Sequence, residues 1–297
     1  MLPNFIIGGA TASGTSFLTH LLMQHSDIYL PKDLDMEPHF FSLLARYEKG
    51  IDWYQKTWFS DYQEQQACGE RSTTYFHFPE AAERLKKHLP SAKFIFVLRD
   101  PSERAFAQYR YMVLRGIEEL DFKKAIEEEK WRLDIEKRHH EYIGRSLYGK
   151  QLENFLKSFS LDQILILNSE KLRRQTETQL KRVTDFLGIA PLNIFKITSD
   201  FSSPAVKDRR IQIKGRAHFG KAFKFIIETI RYKKDNLHSY AKTELDRHRI
   251  SQLIENLSGP KEILVNEMKI SMRTYFKDDQ AKFFDLAKDA IDFDPWL

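Results

Sequence analysis

The segment Gly9-Ala10-Thr11-Ala12-Ser13-Gly14-Thr15-Ser16 gathers small and hydroxylic residues directly after the apolar run Phe5-Ile6-Ile7. Small side chains let successive backbone N–H groups converge on an anion, and a helix opening at the end of the segment adds its dipole. The spacing approaches the nucleotide-triphosphate loop G-x-x-x-x-G-K-[ST], with Thr15 standing where that loop carries its lysine. The charge that grips β- and γ-phosphates is missing, which argues against NTP hydrolysis and against a nucleotide kinase. An ordinary tight strand-to-helix turn would use the same glycines. A second anion signal starts where Phe94-Ile95-Phe96-Val97-Leu98 runs into Arg99-Asp100-Pro101 and then Arg104-Ala105-Phe106-Ala107-Gln108. An arginine at the carboxyl end of a buried strand stands where open α/β sheets take ligands. Its planar fork suits two contacts to one phosphate, although a surface salt bridge is the plainer reading. Pro101 fits the first turn of a helix, which would bring Arg104 and Gln108 to one face.

These residues need a scaffold. Three short β-branched or aromatic runs, 5–7, 94–98 and 164–167, read as strands buried on both faces, as in a parallel sheet. Helical patterns separate them: Ser16–Gln24, Pro79–His88, and a long charged pattern over Glu118–His140 with Phe122, Ile126, Trp131 and Ile135 as its apolar stripe. Strands alternating with helices predict a doubly wound α/β parallel sheet flanked by helices, with ligands at the strands' carboxyl ends. From about Ser199 the chain reads as helical and basic, a C-terminal cap on that sheet. With no repeat and no low-complexity linker, residues 1–297 read as a single domain.

Composition narrows the function. The chain is 42% hydrophobic, 30% charged and 13% aromatic, which excludes a disordered or collagen-like protein. A net charge of +5 on 297 residues suits local anion sites better than a nucleic-acid coat. The basic run from Lys207 through Arg209, Arg210, Lys214, Arg216, Lys221 and Lys224 lacks the interleaved aromatic platform of a nucleic-acid binder. Cys68 is the sole cysteine, so no internal disulfide forms and a reducing, cytoplasmic setting is expected. No signal peptide or membrane-spanning run is expected, and Phe219–Ile230 reads as a helix packing one face on the core. No His/Cys spacing fits zinc, and His139-His140 reads as a cationic helix end. The lone thiol reads as structural.

Taken in order, the motifs resemble the sulfotransferases that use 3′-phosphoadenosine 5′-phosphosulfate (PAPS), in their carbohydrate (heparan-sulfate-like) and bacterial branch. Phe5–Leu18 looks like the family's strand–loop–helix for the 5′-phosphosulfate, and Leu98-Arg99-Asp100-Pro101 with Arg104-Ala105-Phe106 looks like its 3′-phosphate strand. Met36-Glu37-Pro38-His39-Phe40-Phe41 is similar to the K-E-P-H-F-F segment, whose glutamate is the family's catalytic base. Gly69-Glu70-Arg71-Ser72-Thr73-Thr74-Tyr75-Phe76 resembles G-E-K-[ST]-P-x-Y-F, and Lys214-Gly215-Arg216-Ala217-His218 resembles the K-G-R-x-H loop that closes over the nucleotide. Tyr275-Phe276, Asp278, Leu286 and Trp296 resemble the family's C-terminal helix, so the likeness spans nearly the whole chain.

The resemblance implies a P-loop-like fold, PAPS as donor, 3′-phosphoadenosine 5′-phosphate (PAP) as product, no metal, and a carbohydrate-like or other small acceptor. It implies no nucleic-acid partner, no stable membrane insertion, and nothing about oligomeric state. Glu37 is the implied general base, followed by His39. Thr11, Ala12, Ser13, Gly14, Thr15 and Ser16 would surround the 5′-phosphate, Arg99 would hold the 3′-phosphate, and Lys214-Gly215-Arg216 would reach the same end. The chain departs from the pattern at four places. Ala12 replaces a basic residue, Ala107 a serine, Met36 a lysine and Arg71 a lysine. Two of these remove a cofactor contact, each worth about 1.5–3 kcal/mol when charge-assisted. Arg71 or Lys214 is the candidate cation to replace the one lost at Ala12. The alternative is a catalytically impaired nucleotide- or partner-binding protein on the same fold.

Overall fold

The computed structural model describes residues 1–31, 37–136, 140–192, 206–207, 209–223, 226–227, 243–257 and 263–296. Met36, His139, Asp208 and Lys224 lie outside the described residues. The chain divides into two compact units, one comprising 1–101, 145–198 and 273–297, the other 102–144 and 199–272.

The first unit is built on a five-stranded sheet of β1 (Phe5–Gly9), β2 (Ile28–Tyr29), β3 (Ala67–Arg71), β4 (Lys93–Leu98) and β5 (Ile164–Asn168). The spatial order is β2-β3-β1-β4-β5 and every pairing is parallel. The three apolar runs form β1, β4 and β5 as their composition predicts. The two strands without such a run, β2 and β3, complete one side of β1. Strand order therefore reverses at β1, and the carboxyl end of that strand is where such sheets take ligands. Its pairing with β4 shifts register between Ile7 and Gly9, just before the hydroxyl-rich loop.

Close packing explains two glycines. A Cβ on Gly69 would lie 2.2 Å from the ring of Phe5, and one on Gly8 would lie 2.7 Å from the ring of Phe96. Rings fill the space on one side of the sheet. Phe76 stacks on Phe96 at 4.1 Å, and Phe94 contacts Phe159 and Phe155 at 4.4 and 4.8 Å. Helices cover the strands, each with a reason to start where it does. Helix α1 (Thr15–Leu22) begins after Gly14 in the left-handed conformation. Among the others, α4 (Pro79–His88) has Pro79 in its first turn and Lys86, Lys87 and His88 in its last, which suit the helix dipole. The helix Asn266–Ala287 returns its end to this unit: the Asp279 carboxylate accepts the N–H groups of Gly149 and Lys150, and Phe283 packs on Tyr148.

In the second unit the pattern 118–140 is not one helix. It divides into α6 (Phe122–Glu127), capped by the Asp121 side chain, and α7 (Glu129–Glu136). The charges are the reason. Glu118 is fully buried and accepts from Tyr142 Oη and Arg132, while the Glu129 carboxylate accepts the N–H groups of Tyr142, Ile143 and Gly144. These two carboxylates of the charged pattern are thus internal acceptors, and Trp131, expected in the apolar stripe, is 70% exposed. His140 is buried beside Glu118 and does not form an exposed helix end. A small core of Leu114, Phe223, Ile226, Ile227, Ile250 and Leu253 joins the remaining helices, and the described part of 219–230 contributes its apolar residues to it. Among the described residues no helix is long and apolar enough to cross a membrane.

Candidate active site

At the carboxyl end of β1 the chain turns through Ala12 with φ 65° and Gly14 with φ 96°, then enters α1. Left-handed residues alternating with right-handed ones curl the backbone so that amides face a common point. In the first turn of α1 the Phe17 and Leu18 N–H groups donate to the Gly14 carbonyl, while those of Thr15 and Ser16 precede these bonds and suit an anion cradle. Side chains reinforce it. Thr11 Oγ1 ties the loop to the Thr73 carbonyl at 3.2 Å. Ser13 is buried, and its hydroxyl has no hydrogen-bond partner among the described residues. Thr15 is buried, whereas Ser16 is partly exposed and accepts a hydrogen bond from the Arg71 guanidinium. A Cβ on Gly14 would stand 3.3 Å from Ser169 Oγ, so the carboxyl end of β5 also borders the loop.

Across from this loop, Glu37 is fixed by side chains. Thr73 donates to Glu37 Oε2 twice, from its N–H and its hydroxyl, both at 2.7 Å. Arg71 Nη2 lies 3.7 Å from Oε1, and His39 Nε2 lies 3.3 Å from Oε2. Arg46 donates to the carbonyls of Glu37 and Pro38, holding the backbone. Burial by itself would raise the Glu37 pKa, but Arg71, His39 and the two Thr73 hydrogen bonds outweigh it and hold the carboxyl below its ordinary value. His39 is shifted down by burial, with Arg46, Arg145 and Arg71 adding to the effect against the pull of Glu37. Its ring is therefore neutral at neutral pH. A proton on Nε2 then faces Glu37, while Nδ1 accepts from the Thr74 hydroxyl at 2.8 Å.

One residue joins the two halves. Arg71, at the end of β3, reaches Ser16 at the start of α1 and Glu37 on the opposing segment. An ionised carboxylate beside an anion cradle, with a guanidinium between them, can take a proton from a hydroxyl while negative charge is stabilised on the other side.

The other sequence-identified residues fall differently. Arg99 sits at the end of β4, partly exposed, its carbonyl accepting from Tyr148 Oη. Ala107 lies in α5 (Pro101–Leu114), where Arg104 and Gln108 are both buried. Arg104 donates to the Tyr142 carbonyl. Lys214, Gly215 and Arg216 do not form a loop. They lie within α11 (Arg209–Phe219), with both basic side chains exposed and Gly215 buried against Phe223 and Leu253. Arg99 belongs to the first unit, and Ala107 and Lys214–Arg216 to the second. Among the described residues no group of three or more His, Cys, Asp or Glu is placed to hold a metal.

Residue-level reading did not single out Thr73, Thr74, Ser72, Arg46 or Glu70, although all touch this site. The run of three hydroxyls at 72–74 after an apolar-poor strand was the available signal.

Comparison with known proteins identifies the family and the fold. Residues 2–248 match the family described as the sulfotransferase domain. Over 194 residues the chain is 32% identical to mouse heparan sulfate glucosamine 3-O-sulfotransferase 5, covering 64% of this chain and 54% of that protein. It is 31% identical over 204 residues to mouse bifunctional heparan sulfate N-deacetylase/N-sulfotransferase 4, covering 64% of this chain and 23% of the relative. The chain thus spans about half, or less, of the curated relatives it matches. Among solved structures, a sulfotransferase from Alicyclobacillus acidocaldarius superposes with TM-score 0.61 at 24% identity, covering 86% of this chain and 97% of that one. A mouse sulfotransferase complexed with PAP superposes with TM-score 0.50 at 12% identity, covering 97% and 88%. The five-stranded parallel sheet is accordingly the P-loop-like sulfotransferase fold, and the chain belongs to the sulfotransferase domain family.

Proposed function

We propose that this protein transfers a sulfuryl group from PAPS to a hydroxyl of a carbohydrate-like acceptor, with Glu37 as general base. The observation that carries the reading is the Arg71 guanidinium, which touches both the Ser16 hydroxyl of the anion cradle and the Glu37 carboxylate. In the reaction the acceptor oxygen attacks sulfur in line while the 5′-phosphate leaves. The S–O bond to the acceptor forms, the bridging S–O bond breaks, and the acceptor proton passes to Glu37. His39 and Thr73 orient that carboxylate. The cradle of Thr11, Ala12, Ser13, Gly14, Thr15 and Ser16 takes the 5′-phosphate, and Arg71 supplies the positive charge that Ala12 does not. Arg99 at the end of β4 takes the 3′-phosphate. The lysine alternative at Lys214 has no such geometric support. The glycan acceptor is inferred from the heparan sulfate relatives. The family match extends over both compact units, which supports reading 1–297 as one sulfotransferase-like domain. The single, buried Cys68 supports a reducing, cytoplasmic setting.

Ala12 and Ala107 favour a second reading, a nucleotide-binding protein that has lost turnover. Two assays separate them. Calorimetry with PAP, using ATP and ADP as controls, should give micromolar binding, about −8 kcal/mol, that collapses in Arg99→Ala. Transfer of labelled sulfate from PAPS to heparan sulfate or desulfated heparosan should occur with wild type and fail with Glu37→Gln. PAP binding without transfer to any glycan leaves the second reading in place. No PAP binding, or an equal response to ATP, favours the second reading over the first.

A further inference from the structure

Glu70 precedes Arg71 in β3, so its side chain leaves the strand on the opposite face. It is fully buried in the middle of a parallel sheet, where a carboxylate needs a reason to exist. Three hydroxyls donate to it: Tyr54 Oη and Tyr75 Oη to Oε1 at 2.9 and 2.8 Å, and Ser72 Oγ to Oε2 at 2.6 Å. Two of those hydroxyls also act as acceptors. Ser72 Oγ accepts the His39 N–H at 2.8 Å, and Tyr75 Oη accepts the Phe41 N–H at 3.3 Å. A hydroxyl has one proton to give. While Glu70 is an acceptor, both protons point inward and both lone pairs face the segment that carries Glu37 and His39.

We propose that Glu70 is a positioning residue that holds the Glu37–His39–Phe41 segment through Ser72 and Tyr75, and that taking up a proton on Glu70 loosens that hold. A protonated carboxyl becomes a donor and needs an acceptor lone pair. Its nearest acceptors are the same three hydroxyls, and a proton on Oε2 faces Ser72 Oγ, which must then turn its own proton away from Glu70 and into competition with the His39 N–H that it accepts. The path is not a proton relay, because its last link is the backbone N–H of His39, which does not exchange a proton with the ring. Neighbouring groups favour a proton within reach of ordinary pH. Burial raises Glu70 to about 7 despite the three hydroxyl donors, and the Glu37 carboxylate adds to the rise. The other titratable groups facing it are Tyr54 from α3 (Ile51–Trp58) and Tyr75 after β3, both held neutral by burial, while Ile6 opposite it on β1 is apolar.

The inference about turnover rests on Glu37 as base, so the test has an arm that does not. In the full-length protein, the Glu70 side-chain carboxyl is followed by 13C NMR, assigned with Glu70→Gln, alongside the His39 and Phe41 backbone amides. Both amides should shift with the Glu70 inflection near pH 7 and lose that inflection in Glu70→Gln. The His39 amide should also lose it in Ser72→Ala, and the Phe41 amide in Tyr75→Phe; these two variants decide the matter if Glu70→Gln does not fold. In transfer assays with PAPS and heparan sulfate, kcat should fall as pH drops below about 7. Glu70→Gln should remove that limb and lower kcat about tenfold to a hundredfold, with the KM for PAPS unchanged. Amides that titrate identically in the variants, or a Glu70 carboxyl silent between pH 5 and 9, overturn the proposal. If no glycan is sulfated but the amides respond as described, the functional reading fails and the positioning role stands.

Discussion

The two halves of the site are held by different means. The loop at 11–16, the proposed anion cradle, is a backbone construction: two left-handed residues, a helix start, and hydroxyls of which that of Ser13 has no partner among the described residues. The Glu37 segment opposite is a side-chain construction, pinned by Thr73, Arg46, Arg71, Ser72, Tyr75 and, through the last two, by Glu70. A cradle of amides keeps working when side chains change, provided the φ values survive. A side-chain network fails when one member is removed, because the remaining buried polar groups lose their partners. This contrast explains why the chain can carry alanine at position 12, where its relatives' pattern has a basic residue, while Glu37 stays fully buttressed.

The largest expected effect tests the network side. Glu37→Gln keeps the shape and one acceptor oxygen for Thr73 but removes the base, so sulfate transfer should drop about 10²–10⁴-fold while PAP affinity measured by calorimetry stays unchanged. Arg71→Ala should come next. Losing its charge-assisted contacts costs about 1.5–3 kcal/mol, or roughly tenfold to a hundredfold. Because Arg71 touches both halves, both PAP affinity and kcat should suffer; an effect on kcat alone would restrict it to the base. Gly14→Ala attacks the cradle directly. At φ 96° and 3.3 Å from Ser169, a Cβ brings strain of roughly 1–2 kcal/mol, so PAP binding should weaken about tenfold and the melting temperature should fall by a few degrees.

A pH experiment reaches the buried carboxylate. Glu70 has a raised folded value of about 7, so between the ordinary carboxylate value and 7 the folded state holds a proton that the unfolded state has released. Wild type should therefore lose stability relative to Glu70→Gln as pH rises through this window, by about 1.4 kcal/mol per unit, and the difference should be flat above it. Urea denaturation of both proteins at several pH values measures it. The smallest effect is a gain. If Arg71 already supplies the charge, Ala12→Lys should tighten PAP binding less than about threefold, well short of a full charged hydrogen bond. A gain of tenfold or more would mean that the cradle is short of charge and that the impaired-enzyme reading is the better one.

The loop after β1 and the strand-end arginine were legible in the sequence. Small residues after an apolar run, and arginine at the end of another, mark backbone positions that need little tertiary context. The strands Phe5–Gly9, Lys93–Leu98 and Ile164–Asn168 announced themselves because strands buried on both faces are continuously apolar. Strand β3 did not, since Ala67-Cys68-Gly69-Glu70-Arg71 carries two charges and a glycine. Each departure has a partner elsewhere in the fold: Gly69 makes room for Phe5, Glu70 has its three hydroxyls, and Arg71 emerges into the site. The segment 118–140 misled for the same reason, because charges at helical spacing do not reveal whether water or a buried amide receives them.

By itself, then, the amino-acid sequence determined the sheet type, the place of the small-residue loop between β1 and α1, and the side-chain types at Glu37, Arg71 and Arg99. These depend on residue type and on neighbours within a few positions. Only the tertiary structure decided which cation reaches the loop and what holds Glu37, since Arg71 meets Ser16 and Glu37 from 55 and 34 residues away. It also decided that the Lys214–Arg216 stretch is helical and that a buried glutamate stands behind the site. Contacts across such separations are fixed by strand order and register, which local pattern does not encode.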